Sequence, residues 1–118
     1  MDHTQIYADI IKNLPEIDIN LAGVKGYLMQ GENNQMVFFE LDTIATVPPH
    51  SHGAQWGMVV EGEMELTIAG KTKTYKKGDR YSIGKGEVHT AVFKKKTFAI
   101  DFFEDVDRYT AKAVKGER

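Results

Sequence analysis

His50 and His52 stand two residues apart in the segment Val47-Pro48-Pro49-His50-Ser51-His52-Gly53-Ala54-Gln55-Trp56-Gly57. Side chains of an extended chain alternate between faces, so the two imidazoles point the same way and could share one metal ion. His89, after Gly84-Lys85-Gly86-Glu87-Val88, could bring a third imidazole from a later strand. Taken alone, a His-x-His spacing is equally met by two surface histidines beside a Pro-Pro turn. Acid–base groups are few. Glu40 in Val37-Phe38-Phe39-Glu40-Leu41 and Asp101 in Phe98-Ala99-Ile100-Asp101-Phe102-Phe103 each interrupt an apolar run. Facing inward, either carboxylate would be desolvated and could serve as a general base; facing outward, it would be a solvated surface acid. Trp56, Phe38, Phe93 and Tyr81 could line a substrate pocket, with ordinary core packing as the alternative.

These residues need a scaffold that brings distant segments together. From Leu21 to Phe103 the chain alternates short Val/Ile/Phe/Tyr/Thr-rich runs with turns such as Gly31-Glu32-Asn33-Asn34, Glu61-Gly62-Glu63 and Lys77-Gly78-Asp79. The pattern predicts strands at 25–30, 35–41, 43–47, 56–60, 63–69, 71–75, 80–83, 89–93 and 97–103. Many short strands at near-regular spacing indicate an all-β sandwich or barrel with antiparallel pairing. Before them, Thr4 to Leu14 reads as one short helix, capped by Thr4 and ended by Pro15, with Ile6, Tyr7, Ile10, Ile11 and Leu14 on one face. That stripe must dock on something, either the chain's own barrel or a second subunit. The stretch from Glu104 is charged and lacks core periodicity, so Ala111 onward is expected to fray or lie on the surface. We therefore divide one domain into an N-terminal lead-in at 1–20, a barrel at 21–103 and a charged tail at 104–118.

The 118 residues are one domain's worth, and 42% hydrophobic with 10% aromatic content supports a single modest core. A formal charge of −2 is too balanced for an electrostatic nucleic-acid or membrane binder. Lys94-Lys95-Lys96 reads as an exposed turn. The absence of cysteine removes disulfide scaffolds, zinc fingers and thiol catalysis. Neither a signal peptide nor a membrane-length apolar run is visible, so a cytoplasmic protein is expected.

The segment from Val47 to Phe93 resembles the paired motifs of the cupin superfamily. The first family motif, a His-x-His followed by an acid and a turn glycine, is met by His50-Ser51-His52, Gln55 and Gly62. The second runs from Gly78 to His89, with Gly84 in the usual proline place and Phe93 in the usual asparagine place. The resemblance implies a jelly-roll (cupin) barrel of two antiparallel sheets. It implies one divalent transition metal per chain (Fe, Zn, Mn or Ni) held by His50, His52 and His89. The family's fourth ligand is usually glutamate; here the loop after His52 is about one residue short and Ala54 or Gln55 falls in that slot, so the Gln55 amide oxygen could coordinate or Gln55 could merely bond to backbone, with water completing the coordination. A neutral fourth ligand would leave the ion's charge uncompensated and favour anionic partners.

On this reading the chain acts on a small anionic or oxygen-rich molecule by dioxygenase-, isomerase- or lyase-type chemistry, with Glu40 or Asp101 moving protons. The alternative is a non-catalytic cupin that binds or senses a small ligand anchored by the metal. An inward acid would favour the enzyme. A homodimer is expected, from the sheet edges, the stripe of Ile6, Ile10 and Leu14, and the family resemblance. Neither nucleic acid nor membrane is expected as a partner.

Overall fold

In the computed structural model, which describes residues 6–113, nine strands follow one short helix, α1 (Asp9–Lys12). The strands are β1 (Val24–Gln30), β2 (Gln35–Leu41), β3 (Thr46–His50), β4 (Gln55–Glu61), β5 (Glu63–Ile68), β6 (Lys71–Lys76), β7 (Arg80–Ile83), β8 (His89–Phe93) and β9 (Thr97–Phe103). They form a five-stranded sheet in the order β1-β2-β9-β4-β7 and a four-stranded sheet in the order β3-β8-β5-β6, with antiparallel pairing throughout. The chain passes repeatedly between the two sheets, giving the expected all-β jelly roll. The bounds of β2, β7, β8 and β9 fall where the sequence pattern put them.

Alternation decides which side chains enter the barrel. Val37, Phe39 and Leu41 of β2, Val59 of β4, Met64 and Leu66 of β5, Tyr81 and Ile83 of β7, and Ala99 and Phe103 of β9 meet in one buried cluster. The odd-numbered residues of β9 face that interior, so Asp101 does too, and it is 3% exposed. The even-numbered residues of β2 and β4 face outward. A second cluster on that outer surface joins Phe38, Tyr27 and Phe98 to Tyr7.

Two expectations are corrected. The helix is four residues long, and the expected cap, Thr4, lies outside the described residues. The N-terminal segment docks chiefly through Tyr7, whose hydroxyl donates to the carbonyls of Phe39 (2.8 Å) and Ala99 (3.2 Å) and whose ring meets Tyr27, Phe38 and Phe98 edge-on. Ile10 faces water at 80% exposure. The third strand begins at Thr46 rather than Thr43 and runs through Pro48 and Pro49 to His50. It is an edge strand, where missing N–H groups are tolerated. Its pairing with β8 shifts register between Val47 and His50.

Two glycines are fixed by their surroundings. Gly62, in the turn between β4 and β5, holds φ at +107°, a conformation L side chains rarely adopt. Gly57 has no room: a Cβ there would collide with the Asp101 carboxylate and the Tyr81 ring. Gly57→Ala is expected to cost about 1–3 kcal/mol, the usual penalty of overpacking a filled core. Urea denaturation of the two proteins measures it, and equal midpoints would show that the neighbours yield freely.

Candidate metal centre and its cavity

The register shift in β3 places His50 directly opposite His89 of β8. His52 follows two residues on, past the end of the strand, and its carbonyl accepts from the Gly86 N–H in the turn after β7 (2.9 Å). The two histidine-bearing loops are thereby tied together. The three rings converge, with centroids 4.1 Å apart for His50 and His89, 4.9 Å for His52 and His89, and 5.2 Å for His50 and His52. Their ligand nitrogens all lie within 4.8 Å of one another, and among the described residues no other such cluster of His, Cys, Asp or Glu forms.

The hydrogen bonds fix the tautomers. Each Nδ1 faces a backbone carbonyl: His50 that of Pro48 (2.8 Å), His52 that of Gly53 (2.8 Å) and His89 that of Glu87 (2.9 Å). A carbonyl can only accept, so each Nδ1 carries the proton and each Nε2 presents a lone pair. The Nε2 atoms of His52 and His89 are buried without a hydrogen-bond partner. Burial lowers the pKa of His50 and of His52, and the neighbouring histidines and Arg108 push the same way. Neutral rings with outer nitrogens donating to carbonyls are the usual dress of histidine metal ligands. The residues present therefore fit a divalent metal ion.

The histidines stand on a cavity of about 270 Å³ between the sheets. Its walls are largely apolar, including Phe39, Leu66, Phe93 and Phe103, while Gln55, Tyr81, Asp101 and Arg108 add polar groups. Asp101 Oδ1 accepts from Gln55 Nε2 and from the Tyr81 hydroxyl, both at 2.8 Å. Burial pushes the Asp101 carboxyl up to about 6, although both hydrogen bonds pull it down. Desolvation, with the Asp101 charge adding to it, raises the Tyr81 phenol well above its ordinary value. With its amide nitrogen committed to Asp101, Gln55 leaves Oε1 buried and unpartnered.

Of the two strand acids, only Asp101 enters this cavity. Glu40 projects from the other face of β2 and accepts from the Tyr27 hydroxyl (3.0 Å). Phe93 and Tyr81 line the cavity. Phe38 is committed to the outer cluster, and Trp56 stands on the outer face of β4 at 42% exposure. The phase of alternation excludes Glu40, Phe38 and Trp56 from the pocket.

The charged segment after β9 contributes what the sequence pattern missed. Glu104 and Asp105 accept from the backbone N–H groups of Ala54 (2.9 Å) and Gly53 (3.0 Å), pinning the loop after His52. Asp105 also stands 3.6 Å from His52 Nδ1. Arg108 and Tyr109 then line the cavity, with the guanidinium 4.6 Å from the Tyr109 ring centre and its Nε buried and unpartnered. The fully buried Gln35 grips this segment: its Nε2 donates to the Tyr109 carbonyl (2.7 Å) and its Oε1 accepts the Tyr109 N–H (3.0 Å).

Fold and cavity together define a jelly-roll protein with a three-histidine centre. The family profile described as the cupin domain matches residues 37–101, more than half of the chain, and the chain belongs to that family. Solved structures agree. An RmlC-like cupin from Shewanella frigidimarina is 26% identical with a TM-score of 0.71, over 78% of this chain and 84% of that one. KdgF from Halomonas sp. is 24% identical with a TM-score of 0.70, over 78% and 88% of the two chains. Oxalate decarboxylase from Bacillus subtilis, a protein with Mn(II) centres, is 18% identical with a TM-score of 0.69; the match covers 80% of this chain but 28% of that one. A search of curated proteins finds no match. Among the described residues no helix is long and apolar enough to cross a membrane.

Proposed function

We propose that this chain is a metal-dependent enzyme that moves a proton on a small carboxylate-bearing molecule, in isomerase- or lyase-type chemistry. The observation that carries this reading is Asp101, buried on the same cavity as His50, His52 and His89. His50, His52 and His89 would hold one divalent ion through Nε2, and Gln55 would offer Oε1 as a fourth ligand. Such an ion supplies Lewis acidity toward a substrate oxygen.

The protein's own groups account for the rest. Arg108 offers a planar fork of N–H donors that matches a carboxylate, and its always-present charge favours an anion. The apolar walls exclude water and strengthen both interactions. Asp101, with its carboxyl near 6, takes a proton from the substrate and returns it at another position or to a leaving group. Tyr81 and Gln55 hold that carboxylate in place. A metal-anchored binding module would need no such buried acid.

The test loads the full chain with Mn²⁺, Fe²⁺, Ni²⁺ or Zn²⁺ and incubates it with a panel of small hydroxy-, keto- and unsaturated carboxylates in D₂O. Solvent deuterium is expected to enter at least one of them by NMR. Asp101→Asn should abolish this exchange while the same compound still binds. A compound that binds without exchange or turnover, across the panel, would replace the enzyme by a binding module. Failure to take up any metal would overturn both readings.

A further inference from the structure

The part-exposed rim of the cavity runs along two lips, and each changes character along its length. One lip is β3 and its continuation, reading Val47, Pro48, His50 and His52. The other begins at Arg108 and Tyr109 and crosses to the lead-in through the Asp18 N–H, which donates to the Thr110 carbonyl (2.8 Å). It continues through Ile19 and Leu21 to Val24 at the start of β1. The polar ends face each other, since the Arg108 charge acts on both His50 and His52. The apolar ends meet where Ile44 and Ala45, just before β3, abut Gly23. Ile44 is 70% exposed and carries this apolar end out to solvent. The slot thus has its charge and its imidazoles at one end and hydrocarbon at the other.

Building on the carboxylate reading of this same cavity, we infer that its ligand is a carboxylate with a short apolar substituent, which lies between Val47–Pro48 and Ile19–Leu21. The three residue steps from Val47 to His50, at about 3.3 Å each, give the slot roughly 10 Å between its two ends. A volume of about 270 Å³ holds roughly nine waters at about 30 Å³ each, so the occupant is small and its substituent has a few carbons. The apolar end offers a ligand no hydrogen bond from a side chain: Ile19, Leu21, Val24, Leu41, Val47 and Pro48 have none to give. Backbone carbonyls there are committed as well. That of Val47 accepts from the Thr90 hydroxyl, that of Pro48 from His50 Nδ1 and that of Leu21 from the Val24 N–H. A hydroxyl, amide or second charge placed at this end would give up water without gaining a partner. A methylene there leaves water for hydrocarbon and gains.

The test is calorimetric titration of the metal-loaded full chain with malonate and with methyl-, ethyl-, n-propyl- and isobutylmalonate. Carbamoylmethylmalonate, the polar isostere of the isobutyl compound, completes the series. Affinity should rise about two- to fourfold with each added carbon, the upper value being that of a fully buried methylene. Isobutylmalonate should bind about tenfold tighter than its amide isostere, whose polar group goes unpaired. Leu21→Ser should cut the ratio of isobutylmalonate to malonate affinity by about three- to tenfold. Ile10→Ser, at a solvent-facing residue remote from the cavity, should keep the wild-type ratio. Malonate binding with a flat or falling series would overturn this inference and leave the carboxylate reading standing. A rising series that Leu21→Ser does not diminish would place the substituent elsewhere and overturn it too. No binding of malonate or any derivative would overturn the carboxylate reading and this inference with it. The series is read on the unaltered chain, so it decides the question even where Leu21→Ser fails to fold.

Discussion

Metal uptake should be lost in His89→Ala, with affinity falling by well over about 100-fold. That figure is the upper end for removing a group that merely orients a metal ligand, and His89 is placed to be a ligand itself. Its ring is 5% exposed, lies opposite His50, and is turned by the Glu87 carbonyl so that Nε2 faces the other two imidazoles. The metal-free protein carries the cost of buried, unpartnered nitrogens at His52 and His89. Filling them should therefore stabilise the fold. At a metal concentration 100 times the dissociation constant the gain is about 2.7 kcal/mol, by linkage to the folded state. Thermal unfolding with and without added Mn²⁺ reads this directly, without any substrate. The wild-type chain should melt higher with metal, and His89→Ala should show no shift. An equal shift in both proteins would place the ion elsewhere.

The fold was legible because turns and strands carry local signals. The glycine turns around Gly62 and Gly78 and the β-branched and aromatic runs placed most strands, and β2, β7, β8 and β9 to the residue. Pro48-Pro49 misled, because it reads as a turn when the strand is imagined in mid-sheet, whereas β3 is an edge. The histidine site was legible through its spacing and motif resemblance. Which acid enters the cavity was not. Alternation reveals the inner face of a strand only when the outer face is polar, and β2 and β9 are apolar on both sides. Their outer faces lie under Tyr7 or form the open row of Met36 and Phe102. Glu40, Phe38 and Trp56 therefore looked as eligible as Asp101 and Phe93. Arg108 was hidden for a different reason. It lies in irregular chain, positioned by the distant amide of Gln35 and by Tyr109 rather than by any periodicity.

In Arg108→Ala, the metal-loaded protein should lose most of its affinity for small carboxylates, while metal stoichiometry stays the same. Arg108 brings a full positive charge to an otherwise mostly apolar cavity, with its Nε already stripped of water and unpartnered. A ligand carboxylate there meets a half-buried cation, and truncating one partner of a buried, hydrogen-bonded charge pair costs about 2–5 kcal/mol. That range corresponds to a loss of about 30-fold to several thousand-fold in affinity. Calorimetry with malonate on the metal-loaded protein measures it, with malonamide as the uncharged control. Arg108→Lys keeps the charge but not the planar fork, so it should fall between the two. Gln35→Leu supplies the complementary case. It leaves Arg108 in the chain but removes both bonds to the Tyr109 backbone, and it should weaken malonate binding without changing malonamide. Charge and placement thus make separable contributions, and equal malonate affinity in the wild-type and Arg108→Ala proteins would move anion recognition away from this residue to the metal alone.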